Sequence, residues 1–222
     1  MIDYIDISKY SKVNEWISKT LPGVNFYDSI SPNQISSKIW MISELKEIID
    51  SEAPLNVEIV GGWFGWPLIG MLYETFNIKK IFMYDIDKNA CRVAIQYREI
   101  YNKNKNDVWI LNEDYWDRSP KRHEPDLVIN CSSEHMKETF CEMKGKNVYL
   151  NLFYNEDPVV VIQSNNMRHI PEHINCVDSI EHLINVHQIN KVLYSGERDI
   201  VEWQDTTIKS TNYKRFMVIG KL

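Results

Sequence analysis

Cysteine is scarce in this chain: Cys91, Cys131, Cys141 and Cys176 stand far apart among 222 residues. They make neither a metal-binding spacing nor a disulfide framework, so a reduced, cytoplasmic protein is expected. No apolar run approaches the ~18 residues of a membrane span. The start, MIDYIDISKYSK, lacks the basic segment and apolar stretch of a secretory signal. Positive charge is also short, with 25 Lys and Arg against 31 Asp and Glu, a formal charge of −6. The nearest thing to a basic cluster is Lys79-Lys80. Phosphate contacts need clustered Lys and Arg, so nucleic acid is not an expected partner. Internal repeats and low-complexity tracts are absent as well. What is present is a 44% hydrophobic composition, enough for a sizeable core.

The most informative stretch is NVEIVGGWFGWP, Asn56 to Pro67, followed by IFMYDID, Ile81 to Asp87. A short apolar strand (Val57, Ile59, Val60) runs into Gly61-Gly62 and then into a helical pattern near Pro67. The glycines allow positive φ and a close backbone approach by a ligand. The helix offers free N–H groups at its start. A second strand ends in Asp85, about twenty residues on, where a carboxylate can take both hydroxyls of a ribose. A dinucleotide site would show G-x-G-x-x-G, with pyrophosphate on the helix N-terminus. Trp63 and Trp66 stand where that pattern has its second and third glycines, and Pro67 removes an N–H donor. The loop suits a nucleoside without phosphates.

This segment resembles the first motif of class I S-adenosylmethionine (SAM)-dependent methyltransferases, acidic-x-G-x-G-x-G, through Glu58, Gly61, Gly62 and Gly65, with altered glycine spacing. The resemblance extends from about residue 54 to the C-terminus. It implies an α/β fold: a doubly wound, mostly parallel seven-stranded sheet ending in an antiparallel hairpin. Residues 1–54 would be a helical extension or lid, and 55–222 the SAM-binding domain. By the same resemblance the main chain at Gly61 to Gly65, Trp63 included, passes the methionine part of SAM. Asp85, with Ile86 beside it, holds the ribose; Asp87 is the competitor two residues on. Asp114 or Glu113, with Tyr115, receives the adenine amino group.

The pattern of elements agrees with alternating strands and helices. In the extension, Val13 to Ile17 reads as helical, Leu21-Pro22-Gly23 stops it, and Ser31-Pro32 opens a second helix running through Ile48 and Ile49. Its aromatics (Tyr4, Tyr10, Trp16, Phe26, Tyr27) either cover the sheet or help to form a lid. Strands are expected at 57–60, 81–84, 108–111, 127–130 and 148–153, with a short piece at 159–163 and late strands at 191–194 and 213–220. Helices are expected at 67–76, from Asn89 to about Tyr101, and from Ser133, where Ser132 or Ser133 could cap the start.

Further polar groups gather after the later strands. In PDLVINCSSEHM, Pro125 to Met136, Asn130 is placed at a strand end, suited to the amino-acid part of the cofactor or to an acceptor. Ser132 joins the substrate-binding candidates. Glu134 or His135 would bind the acceptor or take its proton, since imidazole titrates near neutrality. Asn165, Asn166 and His173 could hold a polar small substrate, and the alternative for them is a structural loop. No metal is expected: Pro171 breaks any helix that would bring His169 and His173 together. Trp63, Phe64, Trp66, Tyr115 and Trp116 could offer faces to a sulfonium, or simply fill the core.

No Asn-Pro-Pro-Tyr-type sequence follows the fourth strand, which argues against amino-methylation of adenine, cytosine or glutamine. The leading expectation is therefore a SAM-dependent methyltransferase acting on a small polar molecule. Two alternatives stand beside it. One is a SAM-consuming lyase or cyclase that releases methylthioadenosine, of the azetidine-carboxylate-synthase type. The other is a catalytically silent binding protein. The sequence is silent on oligomeric state.

Overall fold

A computed structural model of the protein describes residues 7–101, 107–117, 124–140, 158–204 and 209–222. Its strands are β1 (Leu55–Val60), β2 (Ile78–Tyr84), β3 (Val108–Leu111), β4 (Leu127–Asn130), β5 (Val159–Asn165), β6 (Lys191–Gln204) and β7 (Lys209–Lys221). Its α-helices are α1 (Ile7–Thr20), α2 (Pro32–Lys46), α3 (Leu68–Thr75), α4 (Lys88–Tyr101) and α5 (Ile180–His187). The strands form a seven-stranded sheet in the order β3-β2-β1-β4-β5-β7-β6. Pairing is parallel for β1 with β2, β2 with β3 and β4 with β5, and antiparallel for β7 with β5 and β6. The chain divides into two compact units, Met1–Arg118 and Ser119–Leu222.

In the first unit β1 has burial on both faces, and β2 is buried from Ile81 to Tyr84 after the exposed Lys79 and Lys80. Near-continuous apolar runs are what a parallel strand covered on both faces requires. Tyr10, Val13 and Ile17 recur at helical spacing and are buried, so α1 turns one face inward. Fully burying side chains such as Val13 and Ile17 stabilises by roughly 1.5–3 kcal/mol each. Tyr10 meets Tyr97 of α4 edge-on at 5.2 Å and stacks on Phe26 at 5.8 Å. Tyr10 and Phe26 are thus core residues, Tyr27 is 64% exposed, and Tyr4 lies outside the described residues. Ser31 caps α2 by accepting from the Gln34 N–H, with Pro32 next to it at the first helical position. That helix ends at Lys46, before Ile48 and Ile49.

In the second unit β7 is buried continuously from Phe216 to Ile219, as befits a strand with neighbours on both sides. β6 and β7 are much longer than the 191–194 and 213–220 expected, because the polar residues between those pieces continue as a two-stranded ribbon. Glu197, Arg198 and Asp199 put charge on the edge strand β6, which discourages pairing with another chain. The helix expected from Ser133 is only a 3-10 turn, Ser133–His135, and Ser132 makes no side-chain cap there. The strand expected at 148–153 lies outside the described residues. α5 adds to the expected elements; Ser179 caps it by accepting from the His182 N–H.

At the end of α5, His187 is buried against Phe140, with ring centroids 5.8 Å apart. Burial pushes its pKa down from 6.5 to about 4. Between those values the unfolded chain holds a proton that the folded chain refuses. The stabilisation is therefore complete above about pH 6.5 and is lost as pH falls toward 4. We expect His187→Leu to flatten this dependence by at most roughly 3 kcal/mol, read as denaturant midpoints at a series of pH values. An unchanged slope would place the sensitivity elsewhere, first at His173, whose pKa is also pushed down to about 4.

Candidate functional site

The first unit carries the glycine loop. Past Val60 the chain turns through Gly61 and Trp63 at φ 60 and 50, and Gly65 at φ 72. The Gly62 N–H donates to the Tyr84 carbonyl at 3.1 Å, and the Gly65 N–H to the Gly62 carbonyl at 2.7 Å. A Cβ on Gly62 would lie 2.2 Å from Met83 Cγ, so the loop rests directly on β2. Packing alone demands this glycine. Gly62→Ala should destabilise by about 1–3 kcal/mol, the usual penalty for overpacking, measurable as a lower melting temperature. Unchanged melting would mean that Met83 swings aside without cost.

Trp63 is a non-glycine residue in left-handed conformation, a strain of about 1–3 kcal/mol. Its N–H donates to Asp85 Oδ2 at 2.7 Å, and that bond holds it there. Asp85 Oδ1 accepts from the Asp87 N–H at 2.8 Å. Asp85 is half-buried at the carboxyl end of β2, and burial raises its pKa, with the N–H donors of Asp87 and Trp63 pulling the other way. Each oxygen keeps a further lone pair for a ligand hydroxyl. Asp87 does something different, since its Oδ1 accepts from the N–H groups of Asn89 (2.7 Å) and Ala90 (3.3 Å), capping α4. The two aspartates of the D-x-D motif are therefore separated by role.

Around Asp85 the loop after β3 closes in. Asn112, which sequence reasoning missed, donates from Nδ2 to the carbonyls of Asp85 and Ile86, both at 3.0 Å. Its position directly after an apolar strand was the available signal. The Ile86 side chain is 76% exposed. Asp114 Oδ1 accepts from the Trp116 N–H at 2.9 Å, closing a tight turn. Tyr115 is buried, meets Tyr84 edge-on at 5.2 Å, and donates to Glu58 Oε2 at 3.0 Å. Glu58 itself is fully buried, so in this geometry it ties β1 to the Tyr115 loop. Trp66, at the place of the pattern's third glycine, is buried and stacks on Tyr97 at 5.4 Å. Trp63, stacked on Phe64 at 4.4 Å, is half-buried. Pro67 precedes α3 as its cap residue and is not part of its first turn.

The second unit holds a separate buried polar cluster, at the carboxyl ends of β4 and β5. Asn130 is fully buried; its Oδ1 accepts from the Ser132 N–H at 3.1 Å, and its Nδ2 has no partner among the described residues. Ser133 Oγ donates to the Gln163 carbonyl at 2.8 Å instead of capping a helix. Glu134 is buried, with Oε1 accepting from Asn165 Nδ2 at 2.7 Å. Asn165 Oδ1 in turn accepts from the Met167 N–H (2.9 Å) and faces His173 Nδ1 at 3.1 Å. His135 Nδ1 faces the Glu172 carbonyl at 3.2 Å, and the two imidazoles meet edge to face at 4.5 Å. Asn166 stands apart: its Oδ1 accepts from the Lys214 N–H at 2.9 Å, which fastens the loop to β7.

Burial, then the neighbouring His135 and Arg215, push His173 down to about 4, so it is neutral at pH 7. Arg215 is a further residue that the sequence did not single out. It is buried on β7; burial opposes its charge, and the Glu134 carboxylate and Tyr213 outweigh that and raise its pKa. Glu134 and His135, read from the sequence in one polar group, and Asn165 and His173, read in another, thus lie in a single cluster, to which Ser132 contributes its main chain.

This architecture is found in solved structures. N-methyltransferase NodS from Bradyrhizobium japonicum WM9, in complex with S-adenosyl-L-homocysteine, aligns with a TM-score of 0.59 and 11% identity over 96% of this chain and 97% of its own. A SAM-dependent methyltransferase from Aquifex aeolicus aligns at 0.55 and 12% identity, covering 100% of this chain and 99% of its own. The YcgJ protein from Bacillus subtilis gives 0.58 and 10% over 84% and 97%. The chain has the class I methyltransferase fold. No protein-family model matches the sequence, and no curated protein matches it. In open α/β sheets ligands bind outside the carboxyl ends of the strands; in the first unit Asp85 follows the end of β2, and in the second Asn130 is the last residue of β4. No helix among the described residues is long and apolar enough to cross a membrane.

Proposed function

We propose that the protein is a SAM-dependent methyltransferase acting on a small polar molecule. The observation that carries this reading is Asp85: a half-buried carboxylate at the end of β2, fastened to the N–H of Trp63 in the glycine loop. A carboxylate in that place can receive both hydroxyls of a ribose while the loop passes the methionine part. In this reading Asp114, whose Oδ1 closes the turn after β3, would receive the adenine amino group. The fold shared with SAM-dependent methyltransferases supports the same cofactor.

For the acceptor, the buried polar cluster of the second unit supports a small molecule rich in hydrogen-bonding groups. Asn130 offers an amide donor with no partner among the described residues. Methyl transfer needs little covalent help from a protein. Alignment of the acceptor with the methyl carbon and exclusion of water supply most of the gain. Incubation with SAM alone, and then with pools of small amines, alcohols and acids, tests the reaction. Transfer predicts S-adenosylhomocysteine only when an acceptor is present. Methylthioadenosine from SAM alone would contradict transfer and favour a lyase or cyclase.

A further inference from the structure

We propose that Glu134, His135 and His173 form a binding site for a divalent transition-metal ion of the zinc class. One ring nitrogen of each imidazole and a carboxylate oxygen of Glu134 lie within 4.8 Å of one another. A tetrahedral ion with bonds of about 2.0–2.2 Å holds its ligands roughly 3.3–3.6 Å apart, so a modest inward movement completes the shell. His135 is exposed on its turn, and its ring can turn about the Nδ1 contact with the Glu172 carbonyl to make that movement.

The surroundings of the three side chains are those of metal ligands. His173 Nδ1 faces the amide oxygen of Asn165, and the Met167 N–H that donates to the same oxygen fixes which end of the amide this is. His135 Nδ1 faces a backbone carbonyl. Neither oxygen can donate, so each imidazole must carry its proton on Nδ1, which leaves the lone pair on Nε2. Metal-binding histidines are oriented in this way, by giving the other ring N–H to a carbonyl or carboxylate. Asn165 orients a second ligand too, through its bond to Glu134 Oε1. The other oxygen, Oε2, is buried without a hydrogen-bond partner among the described residues. A buried carboxylate oxygen left in that state is destabilising unless a ligand satisfies it.

The donor set selects the ion. Two imidazoles and one carboxylate suit zinc and its first-row neighbours rather than magnesium or calcium, which prefer oxygen shells. Cys176 does not join: it is buried, the pKa of its thiol is raised by that burial, and it points at Asn165 Oδ1 and the His173 carbonyl. Arg215, buried nearby with its charge balanced by Glu134, opposes a second cation and tempers the affinity. Three protein ligands leave one position open, the pattern of sites that bind a small anionic or polar group.

The test uses the full chain, freed of metal by dialysis against a chelator and then titrated with zinc, and separately with cobalt(II) followed by its visible d–d absorption. We expect a stoichiometric zinc site and cobalt bands typical of low coordination number. His135→Ala and His173→Gln should each weaken zinc binding by roughly a hundredfold or more, and Asn165→Ala, which removes only the orienting amide, by about 10–100-fold. His169→Ala should leave binding unchanged. Far-UV circular dichroism shows whether each variant is folded, and the exposed His135 is the safest of them. Absence of a stoichiometric site in the wild type would overturn the proposal, as would zinc binding equal to wild type in His135→Ala and His173→Gln. SAM affinity, measured in parallel, is independent of either outcome.

Discussion

Asp85→Ala should weaken SAM binding by roughly 10- to 150-fold, corresponding to the 1.5–3 kcal/mol lost with hydrogen bonds to a charged group. The same change releases the Trp63 N–H and the Asp87 N–H, because Asp85 accepts from both. Trp63 then loses the bond that holds it at positive φ, so melting temperature should fall together with affinity. Asp85→Asn separates the two effects. An amide keeps one acceptor oxygen, which restores part of the loop, but it cannot receive both ribose hydroxyls as a carboxylate does. Asp87→Ala is the control. It removes the α4 cap, which costs about 0.5–2 kcal/mol of stability, and should leave SAM affinity in place. Loss of affinity in Asp87→Ala but not in Asp85→Ala would mean that the ribose has been assigned to the wrong carboxylate.

Asn130→Leu should lower methyl transfer, on whichever acceptor the screen identifies, by on the order of a hundredfold or more, as expected for a lost positioning contact. Asn130 Nδ2 is buried and lacks a partner among the described residues, whereas Oδ1 already serves the Ser132 N–H. The donor is therefore the group available to a ligand. Leucine removes both, and the orphaned Ser132 N–H should cost about 1–3 kcal/mol of stability. Asn130→Asp retains an acceptor for Ser132 and removes the donor, so the turn is preserved while turnover stays low. Full turnover in folded Asn130→Asp would make this residue a structural one, with the acceptor sought instead around Asn165 and His173.

Much of this could be read from the chain because the relevant signals are local. The apolar runs at Val57–Val60 and Val108–Leu111 are strands in sequence and in structure, and Asp85 follows directly from the end of another. Ser31-Pro32 is a helix start in both for the same reason, a side-chain cap followed by a residue with preset φ. What could not be read was pairing at a distance. Ser133 looks like a cap until the Gln163 carbonyl, thirty residues away, captures its hydroxyl. Closeness in sequence pairs His169 with His173, whereas β5 and its loop carry His173 to His135. Trp66 reads as a sulfonium face or a core filler alike until Tyr97 of α4 takes its face. The long β6–β7 ribbon escaped notice since its polar residues carry no burial signal, and only the partner strand makes them extended.

The proposed function requires that the first unit hold SAM with its ribose on Asp85. Isothermal titration of the intact protein with SAM and with S-adenosylhomocysteine tests it most directly, using the Asp85→Ala variant alongside. Saturable binding of both compounds to the wild type is expected, with a loss of roughly tenfold or more in the variant. No binding of either compound to folded wild-type protein, or equal binding to the wild type and Asp85→Ala, would contradict it.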